Sequence, residues 1–117
     1  MSGPVLKRAY DPPSPEDGTR ILVDRLWPRG VTKAGARLEA WLKNLSPSDD
    51  LRKRVHAGQI DWPSFLAAYA SELQAPLAAE AVAELRAAIA AGPVTLVYAA
   101  KDPARNNAVA LVEILGL

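Results

Sequence analysis

Apolar residues fall in runs along this chain, and the runs change period in a way that predicts alternating strands and helices. Ile21-Leu22-Val23 is a branched apolar stretch that meets Asp24 and Arg25 and is turned aside by Leu26-Trp27-Pro28-Arg29-Gly30. A short apolar run bounded by a Pro/Gly turn suits a strand covered on both faces. Val94-Thr95-Leu96-Val97-Tyr98 has the same β-branched character and continues through Ala99-Ala100 into Lys101-Asp102-Pro103. Val5–Tyr10 alternates less regularly and runs into Asp11-Pro12-Pro13-Ser14-Pro15, which no regular element continues. The pattern predicts three strands, at approximately 5–10, 20–25 and 94–99.

Helical spacing fills the middle of the chain. Leu38, Trp41, Leu42 and Leu45 recur at three and four residues, which predicts a short amphipathic helix over Leu38–Leu45. Before it, Val31–Arg37 is ambiguous, with Thr32 placed to cap a single turn. Ser46, Pro47 and Asp49 form a start signal of cap, first-turn proline and acid, so a helix is expected over Pro47–His56, stopping at Gly58. Asp61 opens the next helix, whose Trp62, Phe65, Leu66, Tyr69 and Leu73 share a stripe that Pro76 ends. Ala78–Ala91 turns Val82, Leu85 and Ile89 inward and stops at Gly92-Pro93. Asp102-Pro103 repeats the start signal, predicting a last helix over Pro103–Leu115.

This order describes a single small α/β domain spanning 1–117: a three-stranded, mainly parallel sheet packed with about five helices. Helices join the second and third strands, which favours a parallel pair with a right-handed crossover. Both strands then end on one edge of the sheet, where Asp24-Arg25 and Lys101-Asp102 face one crevice. The direction of the first strand stays open, because about ten residues permit either a hairpin or a crossover.

Composition narrows the function classes. At 117 residues the chain is long enough to bury a core. The absence of cysteine excludes disulfides, a thiolate nucleophile and a Cys-based zinc site. No apolar stretch approaches the ~18 residues of a membrane helix, and none at the N-terminus suits a signal peptide, so no membrane partner and a cytoplasmic location are expected. Fourteen basic residues against thirteen acidic ones leave a net charge of +1, with no overall pull toward nucleic acid. The distribution is uneven. Arg20, Arg25, Arg29, Lys33 and Arg37 face only Asp24 in the stretch 20–37, so an anion favours the first third of the chain.

The segments R-I-L-V-D-R-L-W-P-R-G, W-L-K-N-L-S-P-S-D-D-L-R, F-L-A-A-Y-A-S-E-L and G-P-V-T-L-V-Y-A-A-K-D, with N-N-A-V-A-L, resemble the YeaO-like group of the bacterial "domain of unknown function 488" family. The resemblance runs from Lys7-Arg8 to the final helix. It implies a small α/β domain whose polar motifs have suggested enzymatic activity, without an established reaction. It also implies two departures: Asn-His-Ala is usual where this chain has Asn106-Asn107-Ala108, and an aromatic is common near Val55. Asn107 cannot act as the general base that a histidine there would supply.

Several residues at the predicted crevice carry candidate chemistry. Arg25 and Arg29 flank Trp-Pro and present forked donors suited to phosphate or carboxylate, or else pair within the turn. Asp24 is a metal ligand, a base or an anchor for either arginine, and lacks the companion oxygens of a metal site. Trp27 stacks on a ligand or fills the space beneath the turn. Lys101, Asp102, Asn106 and Asn107 lie at the predicted start of the last helix, where free N–H groups favour an anion, although Asp102 as a plain cap opposes one. His56, the one histidine, lies near a helix end where it suits a carbonyl or the dipole. No Gly-rich phosphate loop, catalytic-triad motif or metal-spaced set is present, so neither cofactor nor metal is expected.

Three functions compete. The first is a small enzyme or sensor that binds an anionic, phosphate- or carboxylate-bearing molecule at the strand-end crevice. The second is a nucleic-acid-binding regulator built on Pro47–His56 and the helix from Trp62. It is disfavoured because Trp62–Gln74 contains no Lys or Arg and one acid, Glu72. The third is a structural or interaction module whose polar motifs only hold the fold. Ligand identity and oligomeric state are not encoded in these patterns.

Overall fold

The computed structural model describes residues 3–117. Four parallel strands form its sheet: β1 (Val5–Arg8), β2 (Thr19–Leu22), β3 (Ala40–Trp41) and β4 (Val94–Tyr98), in spatial order β1-β4-β2-β3. Five helices connect or follow them: α1 (Lys33–Ala36), α2 (Asp49–His56), α3 (Trp62–Glu72), α4 (Pro76–Ala91) and α5 (Asn107–Leu115), with 3-10 turns at Pro15–Asp17 and Lys43–Leu45. The expected α/β domain with a parallel sheet is the observed one, with one strand more. β1 also runs parallel to β4, with Leu6 opposite Leu96, which settles its open direction.

All five residues of β4 are buried because both faces of this central strand are covered, the condition that yields an unbroken apolar run. Ile21, Val23, Val94, Leu96 and Tyr98 point toward the main core, with Leu45, Leu51, Phe65, Tyr69, Leu85 and Leu111 from the helical layer. Leu22, Val97 and Ala9 point the other way, against Trp27, Leu38 and Trp41. Each fully buried leucine of this kind contributes about 1.5–3 kcal/mol through burial.

The thin face carries a polar network at its base. Arg20, 3 % exposed, donates from Nη1 to Asp17 Oδ2 at 2.7 Å and from Nε to the Ala36 carbonyl at 2.9 Å. Lys7 Nζ reaches the same Asp17 carboxylate at 3.2 Å. Gly18 follows with φ 64°, and a Cβ there would lie 2.4 Å from the Pro93 carbonyl oxygen.

Four helix expectations are corrected. Leu38–Leu45 is not a helix, because Ala40, Trp41 and Leu42 alternate between the two faces and Ala40–Trp41 pairs with Ile21–Leu22. Trp41 therefore lies half-buried on the sheet, not on a helical stripe. α2 begins at Asp49 because Ser48, not Ser46, caps it: Ser48 Oγ accepts from Leu51 N–H, while Ser46 Oγ donates to the Lys43 carbonyl. α4 starts at Pro76, which serves as its first-turn proline. α5 starts at Asn107 because Asn106 Oδ1 accepts from Val109 N–H at 2.9 Å, whereas Asp102 closes only a local turn onto Ala104 N–H at 2.8 Å. The local signals at Thr32 and Asp61 do cap α1 and α3, accepting from Gly35 and Ser64 N–H.

Candidate anion cleft at the strand ends

Because β2 and β4 are parallel neighbours, the residues that leave them emerge side by side. Val23 N–H donates to the Val97 carbonyl at 3.1 Å, extending the pairing by one step. Asp24 then closes the strand end, its Oδ2 accepting from Ala99 N–H at 2.8 Å and its Oδ1 from Asn107 Nδ2 at 3.1 Å. The Asp24 carbonyl accepts from Trp41 Nε1 at 2.7 Å. One residue thus ties β2 to β4, to the first turn of α5 and to β3. Burial pushes the Asp24 carboxyl above its ordinary value of 3.8, opposed by the Ala99 N–H, the Asn107 amide and the charge of Arg52.

Beyond Asp24 the Trp-Pro turn forms one wall of a cleft of 290 Å³. Trp27 is fixed by its Nε1 donating to the Val31 carbonyl at 2.6 Å and by an edge contact on Trp41, centroids 5.4 Å apart. Pro28 is buried, and Gly30, with φ 80°, lets the chain turn back. Arg25, Leu26, Trp27, Pro28 and Arg29 line this wall, while Arg52 and His56 of α2, with Ala99 and Ala100, line the rest around Asp24 and Asn107. Arg8 braces the Ala99–Ala100 edge by donating to both carbonyls, at 3.4 and 3.0 Å.

The cleft is cationic. Arg25, Arg29 and Arg52 contribute three guanidiniums against Asp24, whose two oxygens are already taken. Arg25 Nε and Arg52 Nη2 also approach one rim oxygen, Asp49 Oδ1, at 3.5 and 3.2 Å. The Arg52 hydrogen bond, with the Arg25 charge, holds the Asp49 carboxyl below 3.8. Arg52 Nε is buried without a hydrogen-bond partner among the described residues. These residues form no cluster of three or more His, Cys, Asp or Glu able to hold a metal.

Of the residues expected at the crevice, Asp24, Arg25, Trp27, Arg29 and Asn107 line it together. Lys101, Asp102 and Asn106 do not: Lys101 is exposed beyond the strand end, Asp102 closes its turn, and Asn106 is the buried cap of α5. Arg52 and His56 join the cleft from α2 and were not among the expected ligand contacts. Their i,i+4 spacing on a helix rich in cations was the available signal, since it places both on one face.

Fold and site together define a small parallel α/β domain with a cation-lined cleft at the carboxyl ends of its strands. A family model described as "Inactive DUF488-N3 subclade" matches residues 5–116, and the chain belongs to this family. It is 41% identical over 110 residues to the uncharacterized protein YeaO of Escherichia coli K12, covering 93% of each chain. It is 37% identical over 108 residues to the uncharacterized protein Rv3073c of Mycobacterium tuberculosis H37Rv, covering 92% of this chain and 89% of that one. The YeaO-like resemblance seen in the motifs is thereby shown. No solved structure matches the chain. No helix among the described residues is long and apolar enough to cross a membrane.

Proposed function

We propose that the protein binds an anionic small molecule, bearing phosphate or carboxylate, in the strand-end cleft, and that it binds without turnover. The observation that carries this reading is the charge arrangement: three guanidiniums line a cleft whose one acid, Asp24, is occupied by two amide donors. Arg25 and Arg52 support it further, since the one carboxylate they both approach, Asp49, is largely exposed and holds them only weakly. Binding rather than catalysis agrees with the word "Inactive" in the family's description and with Asn107 standing where the resemblance makes a histidine usual. Asn107 spends its amide on Asp24.

A thermal-shift screen against phosphates, nucleotides, carboxylates and divalent metals tests this. A ligand at one hundred times its Kd adds about 2.7 kcal/mol of apparent stability. Anions are expected to raise the melting temperature of the wild type and not of an Arg25→Ala, Arg29→Ala double variant that still folds. Loss of folding in that variant supports the structural-module alternative, and a screen without any anion response defeats the proposal.

A further inference from the structure

We infer that the cleft takes phosphate monoesters of small apolar groups, and that Asp49 is a tethered competitor which such a ligand displaces from Arg25 and Arg52. The inference rests on the anion-binding reading above and names its ligand class and gatekeeping residue. Arg25 leaves the end of β2 and Arg52 sits on α2, yet both guanidiniums approach Asp49 Oδ1, at 3.5 and 3.2 Å. Two arginines from separate elements thus converge within reach of one acceptor group, the arrangement that clasps an oxyanion.

Asp49 holds them weakly. Its side chain is 57% exposed, and exposed ion pairs of this kind contribute little. It is nevertheless tethered, with an effective concentration on the order of millimolar or higher. A free monocarboxylate offers the arginines nothing that Asp49 does not already supply. A phosphate monoester carries a charge of about −1.5 to −2 and three acceptor oxygens near neutral pH. It can bridge Arg25 and Arg52 with two oxygens and keep a third for another donor of the cleft. The rest of the wall fits a compact apolar body, because Leu26 is 63% exposed beside Trp27 and Pro28 in a volume of only 290 Å³.

Calorimetric titration of the full chain at pH 7.5 with phenyl phosphate, inorganic phosphate and benzoate tests the idea, in wild type and in Asp49→Asn, with the fold of each confirmed by circular dichroism. Wild type is expected to bind phenyl phosphate at least about ten-fold more tightly than benzoate, with inorganic phosphate in between. Asp49→Asn is expected to tighten phenyl phosphate about three- to five-fold. Unchanged or weakened binding in Asp49→Asn overturns the competitor role. Equal affinity for benzoate and phenyl phosphate overturns the ligand class while leaving the anion cleft standing. Binding of none of the probes by either protein defeats both readings.

Discussion

Substituting Asp24 separates what this residue does for the fold from what it does for the cleft. In Asp24→Ala the Ala99 N–H, 2.8 Å from Oδ2, and the Asn107 amide, 3.1 Å from Oδ1, lose their acceptor together. A donor left unpaired costs ~1–3 kcal/mol when buried; Ala99 and Asn107 are half-buried, so water recovers part, and about 2 kcal/mol in total is expected. Against a domain stability of about 6–17 kcal/mol this is large but survivable. It lowers the melting temperature by about 8 °C, at about 4 °C per kcal/mol. Asp24→Asn keeps an oxygen for Ala99, and a flip of the Asn107 amide restores the second bond, so its loss at neutral pH stays below about 0.5 kcal/mol. The pair also has a predicted pH dependence. Burial raises the Asp24 carboxyl above 3.8 in the folded state, so the folded protein binds this proton more readily than the unfolded chain. The stability linked to that proton is fully present below 3.8 and is lost as pH rises through the folded value. Urea unfolding of wild type and Asp24→Asn across pH 4 to 7 should therefore show the difference moving in favour of wild type as pH falls. An Asp24→Ala variant as stable as wild type refutes the anchoring role; a pH-independent difference, or one of opposite sign, refutes the burial argument.

Two further substitutions probe the framework beneath the cleft. Asp17→Ala leaves the 3%-exposed Arg20 without its 2.7 Å partner and beside the like charge of Lys7, with only the Ala36 carbonyl still accepting from it, and should cost about 3–5 kcal/mol; a shift in urea stability under 1 kcal/mol would sink this account. Burial alone pushes the Asp17 carboxyl up, but the Ser14 N–H, Arg20 and Lys7 outweigh it and hold it below 3.8, so this contribution is present above 3.8 and lost as pH falls through the lower folded value. Gly18→Ala should destabilise by more than about 2 kcal/mol, since it adds a 2.4 Å approach to the Pro93 carbonyl to the cost of positive φ; Gly30→Ala, with φ 80° and open space around it, should lose only about 1 kcal/mol, and equal melting temperatures would contradict the clash.

Elements made by local chemistry were legible, and those made by distant pairing were not. β2 and β4 announced themselves because burial on both faces leaves continuous branched runs. The caps at Thr32 and Asp61 were legible because a side chain meets a backbone N–H three residues on. β3 was hidden: its two residues exist as a strand only through Ile21 and Leu22, and Leu38, Trp41, Leu42 and Leu45 imitate a helical stripe in isolation. The start of α5 was misplaced for a related reason. Asp102-Pro103 and Asn106 both carry cap chemistry, and only Asn106 received a helix.

The sequence by itself determined the parallel arrangement of β2 and β4, and with it the meeting of Asp24, Arg25, Trp27 and Arg29 with the chain leaving β4. It did so because crossover handedness and strand direction follow from element order. Only the tertiary structure decided which cations complete the cleft. Lys101 emerges at the correct edge yet remains outside, while Arg52 and His56 enter from a helix between the strands in sequence. Strand direction is a property of the backbone that order transmits; the reach of a side chain across a cleft depends on where its helix packs, and the core residues that seat α2 set that position together.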